Sequence, residues 1–112
     1  MYTLGVDIGS TTSKCVILED GKKVIASSIV TAGTGTNGPD KSRKEVLEKS
    51  GLKQDDLNYV VVTGYGRSTY TYADAEISEL TCHALGVQHV FPDARTIIDI
   101  GGQDAKVLSL NE

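Results

Sequence analysis

One eight-residue pattern, Asp-Ile-Gly followed by four further positions and Lys, occurs twice: as Asp7-Ile8-Gly9 with Lys14 and as Asp99-Ile100-Gly101 with Lys106. Both pairs are offset by 92 positions (99 − 7 and 106 − 14). Each copy closes an apolar strand and runs into a second apolar run, Cys15 to Leu18 in the first case and Val107 to Leu110 in the second. Recurrence in the same strand–turn–strand context predicts a duplicated hairpin, hence a two-lobed fold whose matching loops face each other. At the same offset Glu112 falls opposite Asp20, where the second hairpin should turn. The expectation is a first lobe over residues 1–94 and, over 95–112, the first hairpin of a second lobe that is cut short.

The rest of the chain fits an α/β lobe that starts with a three-strand meander and goes on by alternating helix and strand. From Thr3 to Ile8, Leu4, Val6 and Ile8 alternate with Gly5 and Asp7, the period of a half-buried strand. Cys15 to Leu18 gives a second strand, Asp20-Gly21 a hairpin turn, and Lys23 to Val30 a third strand. Small turn-forming residues fill Thr31 to Gly38; Pro39-Asp40 then opens a helix that Gly51 closes, with Val46 and Leu47 its only apolar residues. Tyr59 to Thr63 reads as a buried parallel strand ending in the turn Gly64-Tyr65-Gly66-Arg67. A second helix is expected from Glu76 to Leu85, with Glu76 and Glu79 near the positive end of its dipole, and Thr96 to Ile100 as the next strand.

Bulk properties narrow the class of function. With 112 residues and 39% hydrophobic content there is material for one core. A net charge of −4 and a pI near 5.1 argue against nucleic-acid or anionic-membrane partners. No apolar run approaches the ~20 residues of a span and no leader precedes the first strand, so a cytoplasmic protein is expected. Cys15 and Cys82 form no C-x-x-C and have no His at ligand spacing, which predicts two buried small hydrophobes. His83 and His89 are assigned no role.

The loop after the first strand suits phosphate. Gly9, Ser10, Thr11, Thr12 and Ser13 offer backbone N–H groups and small hydroxyls, and Lys14 adds a compact positive charge. Asp7 at the strand end is a hard oxygen ligand fit for magnesium, and Asp99 is its equivalent in the second copy. Two such loops would clamp a triphosphate, a carboxylate orienting the attacking water. Gly33-Thr34-Gly35-Thr36-Asn37-Gly38 is a literal G-x-G-x-x-G between strand and helix. The dinucleotide fingerprint also requires an acid at the end of the next strand, which here ends in Thr63-Gly64. A Walker-type loop is absent.

These residues resemble the actin-like ATPase superfamily, with its ribonuclease-H-like fold, and within it the activators of 2-hydroxyacyl-CoA dehydratases and the ATP-hydrolysing subunits of benzoyl-CoA reductase. Leu4 to Lys14 is similar to the activators' first phosphate loop, Gly33 to Pro39 to the segment that follows, Thr63 to Arg67 to the turn after the fourth strand, and Ile98-Asp99-Ile100-Gly101-Gly102-Gln103-Asp104 to the second phosphate loop. The resemblance implies a homodimer that hydrolyses ATP to drive a low-potential electron through a [4Fe–4S] cluster into an acyl-CoA dehydratase or reductase. It implies Asp7 and Asp99 as metal and water residues, Gly9 to Lys14 with Gly101 and Gly102 as nucleotide residues, and Gln103 as a γ-phosphate sensor. The cluster cysteines of such activators lie in segments beyond residue 112, and Cys15 and Cys82 do not match them. Two alternatives are an actin-like sugar or carboxylate kinase, for which no substrate-binding acid is identified, and a non-catalytic half-ATPase that pairs through its second hairpin. Alone, the 112 residues are expected to bind ATP weakly and hydrolyse none.

Overall fold

The computed structural model describes residues 1–93, 95–100 and 105–109. Three antiparallel strands, β1 (Tyr2–Ile8), β2 (Ser13–Glu19) and β3 (Lys23–Val30), are followed by helix α1 (Gly38–Ser50), strand β4 (Tyr59–Thr63) and the two-residue strand β5 (Ala75–Glu76). Helix α2 (Glu79–Val90) and strands β6 (Thr96–Ile100) and β7 (Ala105–Ser109) complete the described chain. One compact unit spans Met1–Ile77 and a second begins at Ser78. This division falls 17 residues ahead of the 94/95 boundary suggested by the repeat (94 − 77).

The first unit is a five-stranded sheet in the order β3-β2-β1-β4-β5, antiparallel from β3 to β1 and parallel from β1 to β5. Alternation in β1 does what the sequence predicts: Leu4, Val6 and Ile8 are buried, and Gly5 and Asp7 lie on the other face. Cys15, Ile17, Val60 and Val62 join them in the core. Between β2 and β3, Asp20 and Gly21 both take positive φ (54° and 69°), as a primed hairpin turn requires. β4 is buried less completely than its β-branched run suggests: Val60 and Val62 are in the core, while Tyr59 is exposed.

The packing explains why α1 carries so few apolar residues. Its buried positions are Gly38, Ser42 and Val46, spaced four apart along one face. Small side chains there bring the helix close to the sheet, where the Ser28 hydroxyl donates to Ser42 O at 2.7 Å. Gly51 ends the helix in the left-handed conformation (φ 74°), as expected.

Three expectations need correction. α2 starts at Glu79, later than Glu76, because Ser78 caps it, its hydroxyl accepting from Thr81 N at 3.4 Å. Glu76 instead belongs to β5, paired in parallel with β4, so it is Glu79 alone that sits in the first turn. Cys15 is buried but Cys82, on α2, is only half-buried. In the second unit β6 and β7 form a separate two-stranded antiparallel sheet. Among the described residues no helix is long and apolar enough to cross a membrane.

Candidate functional site

The candidate site lies at the carboxyl ends of the neighbouring parallel strands β1 and β4, the edge at which open α/β sheets bind ligands. Gly9 N–H donates to Thr12 O at 2.8 Å, closing a tight turn that leaves Ser10 and Thr11 exposed at its apex. Asp7 and Lys14 are register partners across β1 and β2, and Lys14 Nζ stands 3.6 Å from Asp7 Oδ2. Their side chains are 37% and 48% exposed. An ion pair so open to water contributes little stability and leaves both charges available to a ligand.

Glycines lock this loop to two others. Thr34 N–H donates to Gly9 O at 2.9 Å, and a side chain on Gly33 would collide with the backbone of Gly9 and Ser10. Gly66 N–H donates to Ile8 O at 2.8 Å, and a Cβ there would stand 2.5 Å from Thr34 Cβ. The G-x-G-x-x-G that imitates a dinucleotide fingerprint thus braces the phosphate-type loop through backbone contact. Glycines between strand and helix were the available signal, and only the folded packing gives them this meaning.

The expected site residues divide accordingly. The fold brings together Asp7, Gly9, Ser10, Thr11, Thr12 and Lys14. The Ser13 side chain departs from its expected role: it is fully buried and its hydroxyl donates to Ala32 O at 2.7 Å, so it anchors the loop to the chain after β3. It falls on the buried face of β2 because it alternates with Lys14, which faces out. Asp99 lies in β6, paired with Lys106 in the register of Asp7 with Lys14. Gly101, Gly102 and Gln103 lie outside the described residues.

Beside Ile8 a cavity of about 360 Å³ is lined by Thr36, Asp40, Tyr70 and Tyr72 among others, and the two tyrosines carry no motif that marks them in the sequence. The Arg43 guanidinium lies 4.1 Å from the Tyr72 ring centre, and its Nη1 donates to Gln54 Oε1 at 3.1 Å. Burial pushes the Tyr70 hydroxyl well above its ordinary pKa. Burial also raises the Cys15 thiol, an effect that hydrogen bonds involving Ser42 and Ser28 soften. Among the described residues no three His, Cys, Asp or Glu side chains gather as a metal-holding group.

Over residues 4–112 the chain matches the pattern of the BadF/BadG/BcrA/BcrD ATPase family. It belongs to that family. Among relatives of known structure in the same family, the activator of the 2-hydroxyisocaproyl-CoA dehydratase from Clostridium difficile, solved with bound ADPNP, is 57% identical and superposes with a TM-score of 0.93 over 99% of this chain and 41% of its own. Component A of the (R)-2-hydroxyglutaryl-CoA dehydratase from Acidaminococcus fermentans is 51% identical, with a TM-score of 0.93 over 99% of this chain and 43% of its own. The activator of lactoyl-CoA dehydratase from Anaerotignum propionicum is 54% identical over all of this chain, which spans 43% of that relative. The mixed α/β, actin-like fold is therefore the family's, and the chain spans about two-fifths of the length of the relatives it matches.

Proposed function

We propose that this chain is the nucleotide-holding lobe of a cytoplasmic, homodimeric ATPase that activates an acyl-CoA dehydratase or reductase by driving a low-potential electron into it. The observation that carries this reading is the conjunction of the Asp7–Lys14 loop, braced from two sides, with 57% identity to an activator that binds ADPNP. Two of the named relatives, at 57% and 54% identity, are activators by name and the third is a dehydratase component, which ranks this reading ahead of a kinase or a stand-alone module.

The residues present fit a nucleotide and a divalent cation: a half-exposed carboxylate, a lysine beside it, and a glycine-built turn open at its apex. A magnesium ion held beside Asp7 would supply positive charge against the phosphates. In our reading Asp7 and Asp99 hold the cation and orient water, while Gln103 senses the γ-phosphate. Backbone and hydroxyls of Gly9 to Thr12, with Lys14, Gly101 and Gly102, cradle the phosphates, and Ser13 serves through its backbone. Nucleotide favours one arrangement of the lobes (1–94 and the one begun by 95–112), hydrolysis another, and that difference reaches the partner. The described residues do not fit an iron–sulfur cluster, since Cys15 is buried in β2, Cys82 is half-buried on α2, and neither forms a group with other ligands among them.

The test is ATP hydrolysis and Mg-ADPNP titration on this chain alone and on the chain continued with the unmatched remainder of the Clostridium difficile activator. Weak binding and no turnover are expected of the 112 residues. The fusion should hydrolyse ATP and activate the dehydratase, and Asp7→Asn should abolish both. Tight binding by the chain alone would overturn the need for a second lobe, and an inert fusion would overturn the activator reading.

A further inference from the structure

Thr63 ends β4 and stands next to Asp7 in the parallel register, on the sheet face turned away from the buried Val60 and Val62. Its Oγ1 is buried and has no hydrogen-bond partner among the described residues. Folded proteins avoid that state unless another group supplies the partner. Arg43 Nε and the Tyr70 hydroxyl are likewise unpartnered, but both belong to the cluster around Tyr72, and Thr63 alone is the register neighbour of Asp7. The next residue, Gly64, has φ +98°, and a Cβ on it would stand 2.5 Å from Asp7 Oδ1 and 2.7 Å from Ile8 N. The Asp7 carboxylate therefore lies against the Gly64 backbone, with Lys14 on the adjacent strand.

We propose that Thr63 and Gly64 complete the Asp7 site: Gly64 positions the carboxylate by lacking a side chain, and the Thr63 hydroxyl hydrogen-bonds an oxygen of the ligand Asp7 holds. That oxygen belongs to the water shell of a divalent cation or to a nucleotide phosphate. The inference rests on the nucleotide reading above. The Lys14 ammonium satisfies one side of Asp7 and carries no acceptor, so a hydroxyl able both to donate and to accept adds what the lysine lacks.

The test is an NMR titration of the ¹⁵N-labelled chain in three arms: Mg-ADPNP, ADPNP in EDTA, and Mn²⁺ alone. Thr63→Val should weaken Mg-ADPNP binding about 3- to 10-fold, the worth of one hydrogen bond, and Thr63→Ser should restore it. Its Tm should hold or rise, because the variant removes an unsatisfied buried hydroxyl. A deficit that Mg-ADPNP shares with the Mn²⁺ arm and not with EDTA assigns the oxygen to the cation's water; one that it shares with the EDTA arm assigns it to phosphate. Gly64→Ala should weaken the metal-containing arms more than Gly51→Ala, which has φ +74° but open space around its Cβ. Unchanged affinity of Thr63→Val in every arm, or a fall in Tm alongside its affinity, would overturn the proposal. Absence of shifts at Gly9, Ser10 and Thr11 in the unsubstituted chain would instead overturn the nucleotide reading on which it rests.

Discussion

The hairpins β1–β2 and β6–β7 share a register and differ in what surrounds them. In both, aspartate pairs with lysine (Asp7 with Lys14, Asp99 with Lys106) and isoleucine with the first residue past the loop (Ile8 with Ser13, Ile100 with Ala105). Yet Cys15 is 3% exposed while Val107, its counterpart in the repeat, is 71% exposed. β1 is the middle strand of a five-stranded sheet packed on α1, whereas β6 and β7 make a sheet of two, a size that is marginal in water by itself. Register is thus written locally, by strand length and a four-residue loop, and burial is supplied by elements outside the repeat.

That asymmetry can be broken experimentally, most severely at Ile8. Ile8 is fully buried, so Ile8→Ala should cost about 2–5 kcal/mol in urea unfolding. Gly33→Ala should cost about 1–3 kcal/mol through overpacking and shift the Ser10 and Thr11 amide resonances. Gly35→Ala, with φ +78° and open space around its Cβ, should cost about 1 kcal/mol and leave those resonances in place. If the two glycine variants behave alike, the first loop does not depend on the segment after β3.

Alkali should expose the difference in burial more gently. The fold raises the pKa of Cys15 and of Tyr70, so it favours their neutral forms. Their contribution to stability is complete below the ordinary thiol pKa, about 8.5, and is lost as pH climbs toward the raised values. Urea midpoints measured from pH 7 to 10.5 should fall over that range, less steeply in Tyr70→Phe, and a thiol reagent should label half-buried Cys82 before Cys15. The smallest effect is expected at Val107→Ala, about 0.5 kcal/mol or less because the side chain is exposed. A loss there as large as at Ile8 would erase the contrast between the hairpins.

Much of the first unit was legible because its signals are local. Alternation fixed β1, Asp20-Gly21 marked the primed turn, and Gly51 marked the helix end. What escaped depends on partners distant in sequence. Ala75–Glu76 is too short to show a strand period and exists through its ladder with β4, which is why α2 was expected to begin at Glu76. The candidate site, as proposed, follows the same rule. Asp7, Gly9 and Lys14 were readable from the repeat, whereas the engagement of Ser13 by Ala32, the bracing by Gly33, and the place of Thr63 beside Asp7 come from contacts across the sheet.

Gly64 also dates the site within the life of the molecule. The first hairpin can form as soon as its own residues are available, but the step that abuts Asp7 lies 55 positions beyond Gly9 (64 − 9). At about 5–20 residues per second of synthesis, several seconds separate the birth of the loop from the arrival of the residue that closes it. A nascent chain therefore presents an unfinished loop throughout that interval, and the site proposed for phosphate is completed late, when β4 docks beside β1.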